Sequence, residues 1–295
     1  MLSPVPADLD LVIVHRENPG ALPGTVRAFL DQGVDVRVVV VDNGSSADTL
    51  AAVHEKLPAG VPVLELGANR GFGPGANAGF RWCARRDPAE WLAVAPHDAE
   101  PLPGCLLRLL AELVGRPRAG LASADVGDGL TPVVDRYFGG IPRPATVDDG
   151  WEPAGFPHGT LLLARRACLE EVGLFDERYF AYVEEAELAV RVARAGWEIG
   201  VVRGAEVRNR GLGNHLGLID YLQTRNTLLL VREHSGRYHA TIRLVIALWH
   251  LVAGAFSPRF RGGPYWVPTA RVRAIVDYLR RRTGPPPASL LRRYR

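Results

Sequence analysis

Three carboxylates, Glu184, Glu185 and Glu187, crowd the start of an apolar helical pattern, and the aromatic residues Tyr179, Phe180 and Tyr182 lead into them. Leu188, Val192 and Ala195 follow at helical spacing, and Gly196 ends the run. Two readings of the acids are open. Carboxylates in a helix's first turn are favoured by its partial positive charge, by roughly 0.3–1 kcal/mol each. Glu187 also pairs with Arg191 at i,i+4. The second reading is chemical: an acid at a helix start, walled by aromatics, can face a substrate and take a proton from it.

Other groups could bind a ligand. Asp42-Asn43-Gly44-Ser45-Ser46 ends an apolar run; a carboxylate there can accept hydrogen bonds from an imide or a ribose, or simply hold a turn. The stretch Asn69 to Gly79, NRGFGPGANAG, lets backbone approach a ligand and aims amides at it from a helix start. Its distance from the first strand is wrong for a dinucleotide fingerprint. In Pro96-His97-Asp98-Ala99-Glu100, two acids at i and i+2 project to one side of a strand end and can share a Mg²⁺ or Mn²⁺. Such a cation would neutralise a departing diphosphate. His158-Gly159-Thr160 precedes a strand, and Trp151 offers a stacking face for a sugar; packing is the plainer alternative for either aromatic. The remaining histidines have no metal-ligand spacing, and neither a nucleophile elbow nor a Walker loop is present.

These blocks together resemble family 2 glycosyltransferases. Phe175-Asp176-Glu177, Tyr179-Phe180, Tyr182 and Glu184-Glu185-Ala186-Glu187-Leu188 are similar to that family's FDE-x-F/Y-F-x-Y-x-E-D-x-D-L signature, with Glu for Asp at two positions. The glycine-rich block is similar to N-x-G-F-G-x-G-x-N-x-G of rhamnosyltransferase-like members, and Asp42-Asn43-Gly44-Ser45 to a D-D/N-G-S strand end. The resemblance spans roughly residues 9–232. It implies a GT-A fold and inverting transfer of a sugar from a nucleotide diphosphate sugar, dTDP-rhamnose-like or a UDP-hexose, to a hydroxyl. The acceptor would be a glycan, a lipid-linked intermediate or a small natural product. It makes Glu185 the catalytic base and sets Glu184, Trp151, His158 and Gly159 on the acceptor side. His15, Arg16, Asp42, Asn69, Phe72, Gly73, Asn77, His97, Asp98 and Arg225 form the expected donor side, Arg225-Asn226 matching an R-N pair of the family. Asp98, with Glu100 in an acid-x-acid register, is the expected ligand of Mg²⁺ or Mn²⁺. That motif departs from D-x-D and N-P-D, and Asn209 stands where the family often has a metal-facing His. Arg208, Arg210 or His97 could supply positive charge instead. A catalytically silent nucleotide-sugar binder is the alternative.

The elements that must position these residues alternate. Leu9–Val14, Val34–Val41, Val61–Leu66 and Trp91–Ala95 are expected as strands, with helices over Leu22–Leu30, Ala47–Lys56 and from the glycine-rich block to Ala84. That order argues an α/β, Rossmann-like, mostly parallel sheet flanked by helices, where ligands bind outside the carboxyl ends of the strands. A helix over Pro103–Leu113 and strands at Gly120–Asp125 and Thr160–Ala164 follow. Residues 126–157 read as a loop-rich insertion, and Glu198–Val202 and Ala205–Val207 as separate strand pieces. Residues 1–215 are expected as the nucleotide-sugar domain and 216–295 as a helical, Arg-rich extension packed on it.

The 295 residues carry a net charge of +3, but from Leu216 onward 14 Arg face 3 acids, leaving the longer first part acidic. That division argues against a nucleic-acid partner. Leu244–Phe256 reads as a core or interfacial helix, too short to span a bilayer, and Ala270–Arg282 as a basic amphipathic helix suited to peripheral membrane contact. The three Cys are widely spaced, and there is no signal-peptide pattern. A cytoplasmic protein, peripheral at the inner face of the plasma membrane and able to form a homodimer, is the expectation.

Overall fold

The structure, a computed structural model, describes residues 8–86, 89–209 and 215–293. In chain order it contains Leu9–His15 (β1), Leu22–Leu30 (α1), Val36–Asp42 (β2), Ala47–Lys56 (α2), Val63–Glu65 (β3), Phe72–Ala84 (α3), Trp91–Pro96 (β4), Ala99–Pro101 (β5), Cys105–Val114 (α4) and Ala119–Asp125 (β6). Leu130–Asp135 (β7), Gly139–Pro144 (β8), Gly150–Pro153 (β9), Leu162–Arg165 (β10), Arg166–Val172 (α5), Glu184–Arg194 (α6) and Glu198–Asn209 (β11) follow. Four helices close the chain: Leu216–Ser235 (α7), Arg237–Phe256 (α8), Pro268–Leu279 (α9) and Ala288–Arg293 (α10).

β1 is buried along its whole length and β2 everywhere but Arg37, as strands covered by helices on both faces must be. The main sheet runs β3-β2-β1-β4-β10-β6-β11-β5, with β9 on β11. β1, β2, β3 and β4 pair in parallel, as do β6 and β11, whereas β10 runs against β4 and β6. The sheet is thus mostly parallel. One core gathers Leu9, Leu11 and Ile13 with Phe29 of α1, Val53 of α2 and Leu109 of α4. The other gathers Val12 and Val14 with Phe80 of α3, Cys168 of α5 and Leu188 of α6. Because β10 is reversed, the loop entering it lies at the same edge as the carboxyl ends of β4 and β6.

Three expectations change. Residues 126–157 are not only loop: β7 and β8 form a hairpin, and β9 pairs with β11. The two expected pieces at 198–207 are one strand, with a register shift between Val202 and Glu206 that Gly204, at φ +75°, absorbs. β5, which carries Glu100, is a short strand on β11.

α7 is buried on most sides and carries the other terminal helices. α9 is docked on it: Arg271 pairs with Asp220 at 2.7 Å, Tyr221 donates to Asp277 at 3.0 Å, and Ile275 packs with Leu228 and Ala247. Of the α9 face expected to lie on a bilayer, Ile275 is buried, while Val272 and Leu279 are exposed.

Candidate active site

The approach to α6 is unusual backbone. Phe180, Tyr182 and Val183 have φ of +68°, +65° and +76°, a conformation that costs a residue with a side chain about 1–3 kcal/mol. It is held from outside: the Asn226 amide donates to the carbonyls of Tyr179 (2.8 Å), Ala181 (2.9 Å) and Tyr182 (2.7 Å). Gly71 opens α3 beneath this loop, where any Cβ would collide with the Phe180 carbonyl. At Gly73 a Cβ would lie 3.3 Å from Phe175 and 3.5 Å from Glu184. The glycines of this block therefore let α3 approach the acidic segment and β1, and Phe72 packs into the same apolar contacts.

The first two acids form a pair. Glu184 is buried, Glu185 half-buried, and Oε2 of each is shielded with no hydrogen-bond partner among the described residues. Burial, and then the neighbouring Glu185 charge, push Glu184 well above the usual carboxylate range. Burial also raises Glu185, but backbone amides at the helix start, and then the Glu184 side chain, oppose the shift. Of the two, Glu184 is pushed up further, so Glu185 is the readier to ionise. Glu187 is elsewhere: in spite of burial, His234 (3.3 Å) and Arg191 (2.7 Å) hold it low. For Glu187 the ion-pair reading applies.

Glu185 lines a cavity of about 330 Å³ enclosed by the end of β6, the β7–β8 hairpin and α7. Tyr182, His158, Asp125, Gln223 and Thr227 share its wall. A Cβ on Gly159 would sit 3.3 Å from Glu185 Oε1, so that glycine admits the carboxylate. His158 is exposed at the wall, and its Nδ1 accepts from the Thr160 amide at 3.3 Å. His158, Gly159, Glu184 and Glu185 are thus brought together. Trp151 is not with them. It packs on Gly200, with the Arg116 guanidinium 5.2 Å from its ring, and does not line the cavity.

A second group forms where β1, β2 and β4 end. His15 Nε2 accepts from the Asn18 amide at 3.2 Å, so Nδ1 carries the proton and donates to Asp42 at 3.2 Å. Asp42 also accepts from the amides of Gly44 (3.2 Å) and Ser45 (3.0 Å); in spite of its burial, the bond from His15 and then those from Ser45 hold it low. Asp42 is thus buried and holds the turn that follows β2. His97 meets His15 edge-on at 5.3 Å, and burial lowers its pKa although Asp98 opposes. Arg16 has a shielded Nε without a hydrogen-bond partner among the described residues. Asp98 is half-exposed in the turn after β4. Glu100 stands opposite Arg208 in the β5–β11 ladder. Arg210 lies outside the described residues.

Three further residues expected on the donor side bond within the chain. Asn77 is fully buried, and its amide binds Phe175 and Glu177 of the chain itself. Asn69 closes a clasp with Asn43, which in turn accepts from the Arg70 amide at 2.8 Å and donates to the Gly71 carbonyl at 2.9 Å. Arg225 is buried against Tyr221, Asn226 and the Tyr179 carbonyl, and so braces the aromatic loop. Reading the sequence missed Asn43, Gln223 and Thr227; Asn43 alone had a signal, its place in the D-N-G-S turn.

A paired acid at a helix start, facing a cavity at the carboxyl edge of an α/β sheet, is the arrangement to compare with known proteins. The family model described as "Glycosyl transferase family 2" matches residues 11–173. The chain belongs to glycosyl transferase family 2. This glycosyltransferase is 29% identical over 251 residues, 70% of its chain and 78% of the relative, to an N-acetylglucosaminyl-diphospho-decaprenol L-rhamnosyltransferase of Mycobacterium tuberculosis. It is 22% identical to a low-salt glycan biosynthesis hexosyltransferase of Haloferax volcanii, over 95% of its chain and 93% of the relative. Among solved structures, a mannosyltransferase from Pyrobaculum calidifontis in complex with GDP-Man and Mn²⁺ superposes with a TM-score of 0.61 at 16% identity, covering 94% and 89% of the two chains. S. aureus TarS superposes at 0.57 and 14% identity, covering 92% and 49%. The shared fold is GT-A.

The metal expectation has its test in the side chains of this glycosyltransferase. Among the described residues no group of three or more His, Cys, Asp or Glu could cage a cation. A Mg²⁺ or Mn²⁺ held by one carboxylate and a substrate diphosphate does not need a cage, and the half-exposed Asp98 fits that role.

Proposed function

We propose that the protein is an inverting glycosyltransferase that moves a hexosyl or rhamnosyl group from a nucleotide diphosphate sugar to an acceptor hydroxyl. The observation that carries this reading is the Glu184–Glu185 pair, with the unpartnered Oε2 of Glu185 at the cavity wall. The acceptor oxygen attacks the anomeric carbon from the Glu185 side. The bond from that carbon to the diphosphate breaks in line, its electron pair leaving with the nucleotide, and the acceptor proton passes to Glu185. Glu184 keeps its own proton and donates to Glu185, so the base stays oriented and is not repelled by a second charge.

On the donor side, Arg16, His97 and Asp98 surround the ends of β1 and β4, with the unpartnered Arg16 Nε as a diphosphate donor. Asp98 would hold a Mg²⁺ or Mn²⁺, which when bound would supply charge neutralisation to the leaving diphosphate. The mycobacterial likeness supports a dTDP-rhamnose-like donor, with UDP-hexoses next, and a lipid-linked glycan as acceptor. Residues 1–215 would form the transferase domain and 216–295 its helical extension. Cys83, Cys105 and Cys168 are buried free thiols, each pushed up to about 12 chiefly by burial, which suits a cytoplasmic setting.

The test is a panel of nucleotide sugars read by thermal stabilisation and slow hydrolysis, then by transfer to polyprenyl-linked and free glycans. Stabilisation without turnover on any acceptor would favour the silent binder.

A further inference from the structure

The run Leu244–Phe256, expected to be too short to span a bilayer, is the second half of the twenty-residue α8, which by length and composition alone could cross one. α8 is built inside out. Its buried positions are Ala240, Ala247 and Gly254, seven residues apart. Small side chains there let the helix lie close to its neighbours: Ala247 packs with Leu228 and Ile275, and a Cβ on Gly254 would come 2.8 Å from the Trp266 indole nitrogen. Leu244 packs inward with Leu228 and Ile275, but six bulky residues point away from the protein. Phe256 is 87% exposed, Tyr238 70%, Val252 61%, Val245 60% and Trp249 50%, with Leu248 beside them. At helical spacing these six fall in one stripe about 100° wide, directly opposite the three small residues. A helix that met only water would carry the reverse pattern.

Its charges are one-sided too. From Arg237 to the end the sequence has 12 Arg and one acid, Asp277. That acid is buried and bound to Arg273 at 2.8 Å and Arg282 at 3.4 Å. Arg237 opens α8, and Arg259 follows its end, both exposed. On one flank, Arg243 Nε and Nη1 and His239 Nδ1 are shielded without hydrogen-bond partners among the described residues. Aromatic residues at both ends of an apolar stripe, with cations and no free acid around it, match the headgroup boundary of an anionic bilayer.

We propose that the outward face of α8 is a docking surface for an anionic phospholipid bilayer, on which the helix lies in the interface plane. The surface is independent of the reaction chemistry, yet it bears on the cavity. The hairpin that lines the cavity meets α8 through Tyr137 and His239, with ring centres 5.0 Å apart, and through Arg243 over Phe138 at 5.9 Å. Docking would therefore hold the Glu185 cavity beside the membrane.

The experiment is vesicle flotation of the full-length protein, with phosphatidylcholine alone or doped with phosphatidylglycerol, in low and high salt. Wild type should float with the anionic vesicles and be released by salt or alkaline carbonate. Val245→Glu/Val252→Glu should cut that binding at least about tenfold, and Arg259→Glu should weaken it, each with an unchanged melting temperature because the three sites are exposed. Double-variant binding equal to wild type, or equal binding to both vesicle types, would overturn the proposal. Resistance to carbonate would show a spanning helix, and a concentration-dependent dimer dissolved by the double variant would show a second copy on this face; either result also overturns it.

Discussion

Asn77 grips the backbone of Phe175 twice: its amide nitrogen donates to the carbonyl at 2.8 Å, and its oxygen accepts from the amide at 3.1 Å. This clamp ties the glycine-rich helix to the segment that delivers the acid pair. Asn77→Ala would leave two buried backbone groups without partners, at about 1–3 kcal/mol each. The expected outcome is a stability loss of about 2–4 kcal/mol in urea unfolding, with donor affinity near wild type. Unchanged stability with a large loss of donor affinity would mean that the side chain reaches the nucleotide.

Glu184 makes stability depend on pH in a direction opposite to that of a paired surface acid. Its folded pKa is raised by burial and by Glu185, so its favourable contribution is complete below the ordinary glutamate range. That contribution is lost as pH rises through the folded value. Glu184→Gln keeps a hydrogen-bond donor and removes the titration. The variant should therefore melt higher than wild type at about pH 8, with the difference vanishing in acid. Parallel melting curves across that range would place the proton elsewhere.

For the metal, Asp98→Asn should impair donor use, and chelation by EDTA should lower turnover reversibly. Glu100 lies opposite Arg208 on β5, so Glu100→Gln should have the smaller effect. Equal losses from the two variants would support the acid-x-acid register. Full turnover in protein verified metal-free by elemental analysis would remove the cation and leave Arg16, His97 and Arg208 to carry its charge.

Much of this structure is legible in local pattern. Leu22–Leu30 and Ala47–Lys56 have the helix bounds expected of them, and Val34–Val41, a strand found at Val36–Asp42, is legible because its run of valines fills both faces. The acid pair is legible because Glu184 and Glu185 crowd a helix start after three aromatics. What escapes is set by contacts distant in sequence. β7 and β8 contain Pro and Gly and are strands only through pairing with each other. Asn77 and Arg225 sit in motifs that look ligand-facing, yet whether a side chain turns inward depends on segments about 98 and 46 residues away. In α8 the apolar run is plain, but which side of it faces water is decided by the packing of Ala240, Ala247 and Gly254.

The central claim is that Glu185 takes the acceptor proton, and the most direct measurement is turnover of Glu185→Gln beside calorimetric donor binding. Loss of a general base costs about 10²–10⁴-fold. The expected result is a fall in kcat of that size, with donor affinity within a few-fold of wild type and an unchanged fold. A variant that keeps more than about a tenth of wild-type turnover would contradict the assignment and move the base to another residue of the cavity.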